Sequence, residues 1–106
     1  MTRVNVAEDF SRYPSGRYKK NGNTSGEEFR EKLLEPPLRN GDTIELFLDG
    51  TIGYGSSFLE EAFGGLVRSL KTNSEDILKK ISFVSNDTLL VKEIEEYILD
   101  AAKAKE

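Results

Sequence analysis

The chain is expected to fold as one α/β domain, a small sandwich with helices packed on a mixed sheet of about four strands. Three observations carry that expectation. Segments with apolar residues at helical spacing alternate along the chain with short runs of β-branched and aromatic residues, the pattern of layered α/β domains. Glycine, proline and asparagine gather between these segments, where turns are required. The 106 residues, 37% of them hydrophobic, suffice for one core and not for two.

Val4 and Val6 alternate with polar neighbours and mark a short first strand. Arg12 to Thr24 is rich in Gly, Ser, Asn and Lys, carries Pro14, and reads as a long loop enclosing a second strand around Arg17 to Lys19. Ser25-Gly-Glu-Glu28 has the form of a capping box, in which serine oxygen and glutamate carboxylate satisfy each other's backbone N–H groups. Phe29, Leu33 and Leu34 line one face of the helix it opens. Pro36-Pro37 is expected to end that helix, because proline lacks the N–H and disfavours helical geometry before it.

After the turn Asn40-Gly41-Asp42, the run Thr43 to Leu48 is apolar at 44, 46, 47 and 48, the mark of a central strand covered by helices. Asp49 to Gly55 is a glycine-rich loop. From Phe58, apolar residues at 58, 59, 62, 63, 66, 67 and 70 form the best amphipathic stripe in the chain. Gly64-Gly65 inside it costs roughly 1 kcal/mol per glycine relative to alanine, which close backbone approach to the sheet would offset. Asn73 to Lys80 reads as a short capped helix or turn and Ile81 to Val84 as a strand. Asn86-Asp87 caps a last helix from about Thr88 to Ala104, with the stripe Leu90, Ile94, Tyr97, Ile98 and Ala101.

Composition excludes much chemistry. Without His or Cys there is no Ser-His-Asp triad, thiol nucleophile, disulfide or zinc site of the usual kind. The remaining Asp, Glu, Ser, Lys, Arg and Tyr form no convergent arrangement in the sequence, so neither an enzyme nor a resident cofactor or metal is expected. A net charge of -4 argues against coating nucleic acid, and the basic loop offers only Tyr13 and Tyr18 for stacking. No stretch has the length of a membrane span, and acidic residues occupy the place of a signal peptide's apolar core, so a cytoplasmic protein is expected. Charge is uneven: residues 1 to 20 carry +3, which leaves -7 on the rest.

A strand ending in Asp49, a short glycine loop and a Ser-Ser pair at the mouth of an amphipathic helix resemble the centre of STAS domains, the fold of anti-sigma-factor antagonists. More closely, Gly16-Arg17, Ser25-Gly-Glu-Glu-Phe29, Leu34-Glu-Pro36 and Ser56-Ser57-Phe-Leu-Glu-Glu-Ala-Phe-Gly-Gly65 resemble a STAS-like family of uncharacterised bacterial proteins, over nearly the whole of residues 1–106. The resemblance to antagonists implies a binding switch, in which a serine at the start of the helix is phosphorylated by a partner ATPase resembling histidine kinases. By position that serine is Ser56 or Ser57. Gly55 and Phe58 stand where the antagonists have Asp before the pair and Gly after it.

Each candidate group has two readings. Ser56 and Ser57 can form a phosphorylation switch at a helix N-terminus, or Ser57 can cap that helix with Glu60 completing the box. Gly50, Gly53 and Gly55 can cradle a phosphate, or serve a constrained loop. Arg17 can face the serines if its loop folds over the glycine loop, or belong to a solvated basic segment. Asp49, at the ligand edge of an α/β sheet, can contact a ligand or hold its own turn. Phe58, Glu60 and Glu61 belong with Gly53 and Gly55 to the proposed partner face. The leading expectation is a non-catalytic regulatory module that binds a protein partner through this face. The alternative is a sensor of a nucleotide or other small anion built on the glycine loop, Arg17 and Asp49.

Overall fold

The computed structural model describes residues 1–104. Strands β1 (Thr2–Asn5), β2 (Ile44–Phe47) and β3 (Ile81–Val84) form a sheet in the order β1-β2-β3 with both pairs parallel, Val4 level with Leu46 and Leu46 with Phe83. The sheet thus has three parallel strands rather than about four in mixed directions. The strand expected around Arg17 to Lys19 is absent. Gly16 turns the chain at φ +89°, and the carbonyls of Gly16 and Arg17 accept from the N–H groups of Gly26 and Glu27, so this backbone caps a helix instead of pairing with a strand.

Helix α1 is continuous through Gly26–Phe29, a wider π turn at Arg30–Leu34, and Glu35–Arg39. Ser25 caps it, accepting from the Glu28 N–H as the sequence indicates, while the reciprocal half of the box, Glu28 accepting from the Ser25 N–H, is not formed. The helix does not stop at Pro36-Pro37. The π turn bonds the Glu35 N–H to the Arg30 carbonyl, so the two prolines enter as the first residues of a new turn, where a missing N–H costs least. Helix α2 is built the same way, from Ser56–Leu59, a π turn at Glu60–Gly64, and Gly65–Leu70. Helices α3 (Ser74–Lys80) and α4 (Thr88–Ala104) follow, capped by Asn73 and Asp87.

Strands are added in one direction only, and right-handed crossovers then put every connecting helix on the same side. Side-chain burial agrees. Val4, Ile44, Leu46 and Ile81 are buried in one core with Phe29 and Leu34 of α1, the stripe of α2, Ile77 of α3, and Ile94 and Ile98 of α4. On the opposite face Arg3, Ser82 and Val84 are exposed and Phe47 is half-buried, so β2 is central yet covered on one face alone. A chain of aromatic contacts runs through the core from Phe10 to Phe29 (5.2 Å), Phe29 to Phe63 (6.4 Å) and Phe63 to Phe83 (6.0 Å), tying α1 and α2 to β3. No helix among the described residues is long and apolar enough to cross a membrane.

Candidate functional site

The candidate site lies where the glycine loop enters α2. Residues 12–14 run over this loop: the carbonyls of Arg12 and Pro14 accept from the N–H groups of Ile52 and Gly55 at 2.9 and 3.4 Å, and Pro14 is buried. Gly50 takes φ +102° where its loop passes Ala7, a conformation that side-chain-bearing residues rarely adopt. Tyr54 packs on Phe58 and donates to the Leu48 carbonyl at 2.7 Å; burial pushes its phenol up to about 12, so it stays protonated as that donor.

Helices α1 and α2 begin differently. At α1 the first N–H groups are all taken, by Gly16, Arg17 and the Ser25 hydroxyl. At α2 the cap residue is Gly55, which has no side chain to offer, and among the described residues no protein group accepts from the N–H groups of Ser56, Ser57 or Phe58. Ser57 therefore stands inside the first turn and does not cap the helix. Both serine side chains are exposed.

The other site residues are distributed otherwise than the sequence suggests. Phe58 is wholly buried in the aromatic core and presents nothing to a partner. Arg17 follows the segment that crosses the glycine loop, and its guanidinium binds Glu60, one helical turn on from the serines, and approaches Glu61 at 3.6 Å. Asp49 accepts from the Ser85 hydroxyl at 2.7 Å and the Asn86 N–H at 3.0 Å, which ties the ends of β2 and β3 together. Gly53 is exposed, and Gly55 lies beside Ser15.

Glu60 and Glu61 belong to an ionic seam between α1 and α2 whose remaining members the sequence reading missed. Arg30, only 7% exposed, binds Glu35, reaches Glu61 Oε2 with Nη2 at 2.9 Å, and donates from Nε to the Glu61 carbonyl at 3.2 Å. Arg39 holds the other oxygen of Glu35 at 2.9 Å, and Arg68 holds Glu60 at 2.8 Å. Hydrogen bonds from Arg68 and Arg17 keep the Glu60 carboxyl below the ordinary range despite partial burial. Burial pushes the other way at Glu35, where Arg39 and Arg30 outweigh it and the carboxyl is again lowered.

Gly64-Gly65 serves this seam and not the sheet. A Cβ on Gly65 would stand 2.5 Å from Arg30 Nε, and one on Gly64 2.6 Å from Glu60 Oε2. The sequence held a signal for it: Arg30 occupies the apolar face of α1, one turn from Gly26 and Leu34, opposite a helix with adjacent glycines. Charge on an apolar face next to missing side chains marks a buried guanidinium.

The fold and site define a class: a small α/β module with a one-sided parallel sheet and a glycine loop leading to an open, serine-bearing helix N-terminus. Residues 25–89, from the cap of α1 to the first turn of α4, match the family described as a STAS-like domain of unknown function (DUF4325), and the chain belongs to that family. No curated protein and no solved structure matches it.

Proposed function

We propose that the chain is a non-catalytic regulatory module that binds a protein partner through the surface around Gly53–Glu61 and is switched by phosphorylation of Ser56 or Ser57, the phosphate coming from a partner ATPase-type kinase. The observation that carries this reading is the contrast between the helix N-termini. The start of α1 is filled by its own chain, whereas α2 presents unpaired N–H groups beside two exposed hydroxyls. A phosphate there would add about two negative charges next to about half a positive one, so the fold accommodates it while a partner docked on neutral serines meets a changed surface.

The small-ligand alternative loses support from the same geometry. The two polar groups it would use, Arg17 and Asp49, are engaged by Glu60 and by the β3 loop.

The test is a pull-down from the native host with wild-type, Ser56→Asp and Ser57→Asp baits in parallel, with phosphorylated residues mapped by mass spectrometry. An ATPase retained by the wild type and lost with one Asp bait, together with phosphate on that serine, is the expected result. Equal retention by all three baits and unmodified serines would remove the switch.

A further inference from the structure

We propose that the trough along the carboxyl ends of the three strands docks a basic, aliphatic-bearing segment of a partner protein. This rests on the reading of the chain as a protein-interaction module and names the chemistry of what it binds. The trough has two halves that share Asp49 and Gly50. One is lined by Asn5, Ala7, Glu8 and Arg12 after β1, the other by Ile52, Tyr54, Asp87 and Leu90 between the glycine loop and α4. Gly50 lies at the junction without a side chain, which keeps the divide between the halves low. Leu48 and Tyr54 line the second half, and the hydrogen bond between them fixes that part of the surface.

Two features of this edge suit a partner. Ile52 and Leu89, the latter next to Leu90 in the first turn of α4, are 76% and 78% exposed in a chain that buries most of its large apolar side chains. The acidic groups bordering the trough also lack ion pairs among the described residues. Asp9 accepts from the Asn5 N–H, Asp49 from Ser85 and Asn86, and Asp87 from the Leu90 N–H, all neutral donors. Among the described residues none of these three, nor Glu8, is ion-paired, and Arg12 is the one cation lining the trough. Aliphatic contacts for Ile52 and Leu89 and cations for the carboxylates are what a basic amphipathic segment supplies, and an acidic or purely polar one does not.

The test uses the full chain, labelled with ¹⁵N and titrated with three short synthetic peptides: a Lys/Leu peptide with leucines at helical spacing, the same peptide with Ser for Leu, and the same with Glu for Lys. The Lys/Leu peptide is expected to shift the amides of Ala7 to Asp9, Gly50 to Tyr54 and Asp87 to Leu90 saturably. The other two should bind at least about tenfold more weakly. The double variant Ile52→Ser/Leu89→Ser should weaken the Lys/Leu peptide by about tenfold or more, with thermal unfolding confirming an intact fold. Equal binding of the Lys/Ser peptide, shifts centred on Glu93 to Glu96 of α4, unchanged affinity in the double variant, or no saturable shift would each overturn the proposal. If the peptides fail while Ser56→Asp or Ser57→Asp still changes what the pull-down retains, the regulatory reading stands and only this docking chemistry falls. If the Lys/Leu peptide docks as described and the serine variants are silent, the docking surface stands without the switch.

Discussion

The ionic seam between α1 and α2 and the carboxyl edge of the sheet use the same kind of acidic residue in opposite ways. In the seam Glu35, Glu60 and Glu61 are interleaved with Arg17, Arg30, Arg39 and Arg68, and each carboxylate has at least two guanidinium groups within reach. At the edge Glu8, Asp9, Asp49 and Asp87 have none among the described residues. The difference follows from burial: an unpaired charge removed from water costs several kcal/mol, whereas an exposed one keeps its hydration and its field. Paired acids hold the helices together, and unpaired ones remain to be read by something outside.

The most severe way to break the comparison is Arg30→Ala. It takes from Glu35 and Glu61, both 8% exposed, the buried guanidinium they share, leaving Arg39 on Glu35 and only the longer approaches of Arg17 and Arg68 at Glu61, and removing one partner of a buried ion cluster costs about 3–5 kcal/mol. That is a large fraction of a total stability on the order of 5–15 kcal/mol. Urea unfolding measures it, and a loss below about 1 kcal/mol would mean that water screens the seam. Replacing Arg30, Glu35 and Glu61 together by apolar residues of similar volume should restore much of the loss, since the cost lies in leaving buried carboxylates under-compensated.

Gly26→Ala comes next. Its Cβ would stand 2.4 Å from the Phe58 carbonyl and 3.0 Å from the Ala62 N–H nitrogen, both backbone atoms of α2, so α1 and α2 have to separate. Alanine's helical advantage of about 1 kcal/mol is then outweighed, and a net destabilisation of about 1–3 kcal/mol is expected in the same urea experiment. A neutral or stabilising result would show that the helices meet less closely than 2.4 Å implies.

Acid sharpens the comparison further. Glu60 and Glu35 have folded-state values below the unfolded 4.5, so the stability they contribute is fully present above that pH and is lost as pH falls through the lowered values. A series of melting temperatures from neutral to acidic pH should show wild type falling faster than Glu60→Gln in this window, with the gap between them widest above pH 4.5. Parallel curves would place the acid sensitivity elsewhere.

These two regions also mark how far the sequence could be read. Elements governed by local rules were legible to within a residue or two: the Ser25 cap, the α2 stripe from Phe58 to Leu70, strand β3 and the Asp87 cap of α4. Expectations failed where a distant partner decides. Residues 16 and 17 cap α1 rather than form a strand because Gly26 and Glu27 need acceptors. The π turn at Arg30–Leu34 carries α1 into Pro36-Pro37, a geometry that no spacing rule for α-helices anticipates. At the site, Ser56 and Ser57 were legible because the strand, loop and helix order puts them at a helix mouth. The destination of Arg17 was not, because Glu60 lies 43 residues away and only the fold brings them together.

The smallest expected effect is the one that separates the two regions most cleanly. Ile52→Ser and Leu89→Ser remove apolar side chains that are 76% and 78% exposed and lie outside the buried core. Each should therefore change stability by no more than about 0.5 kcal/mol, as surface substitutions away from structural features do. Leu89 sits in the first turn of a 17-residue helix, where serine costs little in propensity, and Ile52 lies in a loop whose backbone N–H is bonded to Arg12 whatever its side chain. Chemical denaturation of each variant against wild type decides the point. Losses above about 1 kcal/mol would mean that these side chains support the fold, and the carboxyl edge would then be structural like the seam. Unchanged stability leaves their exposure without a folding role, which is the condition for a surface kept open to a partner.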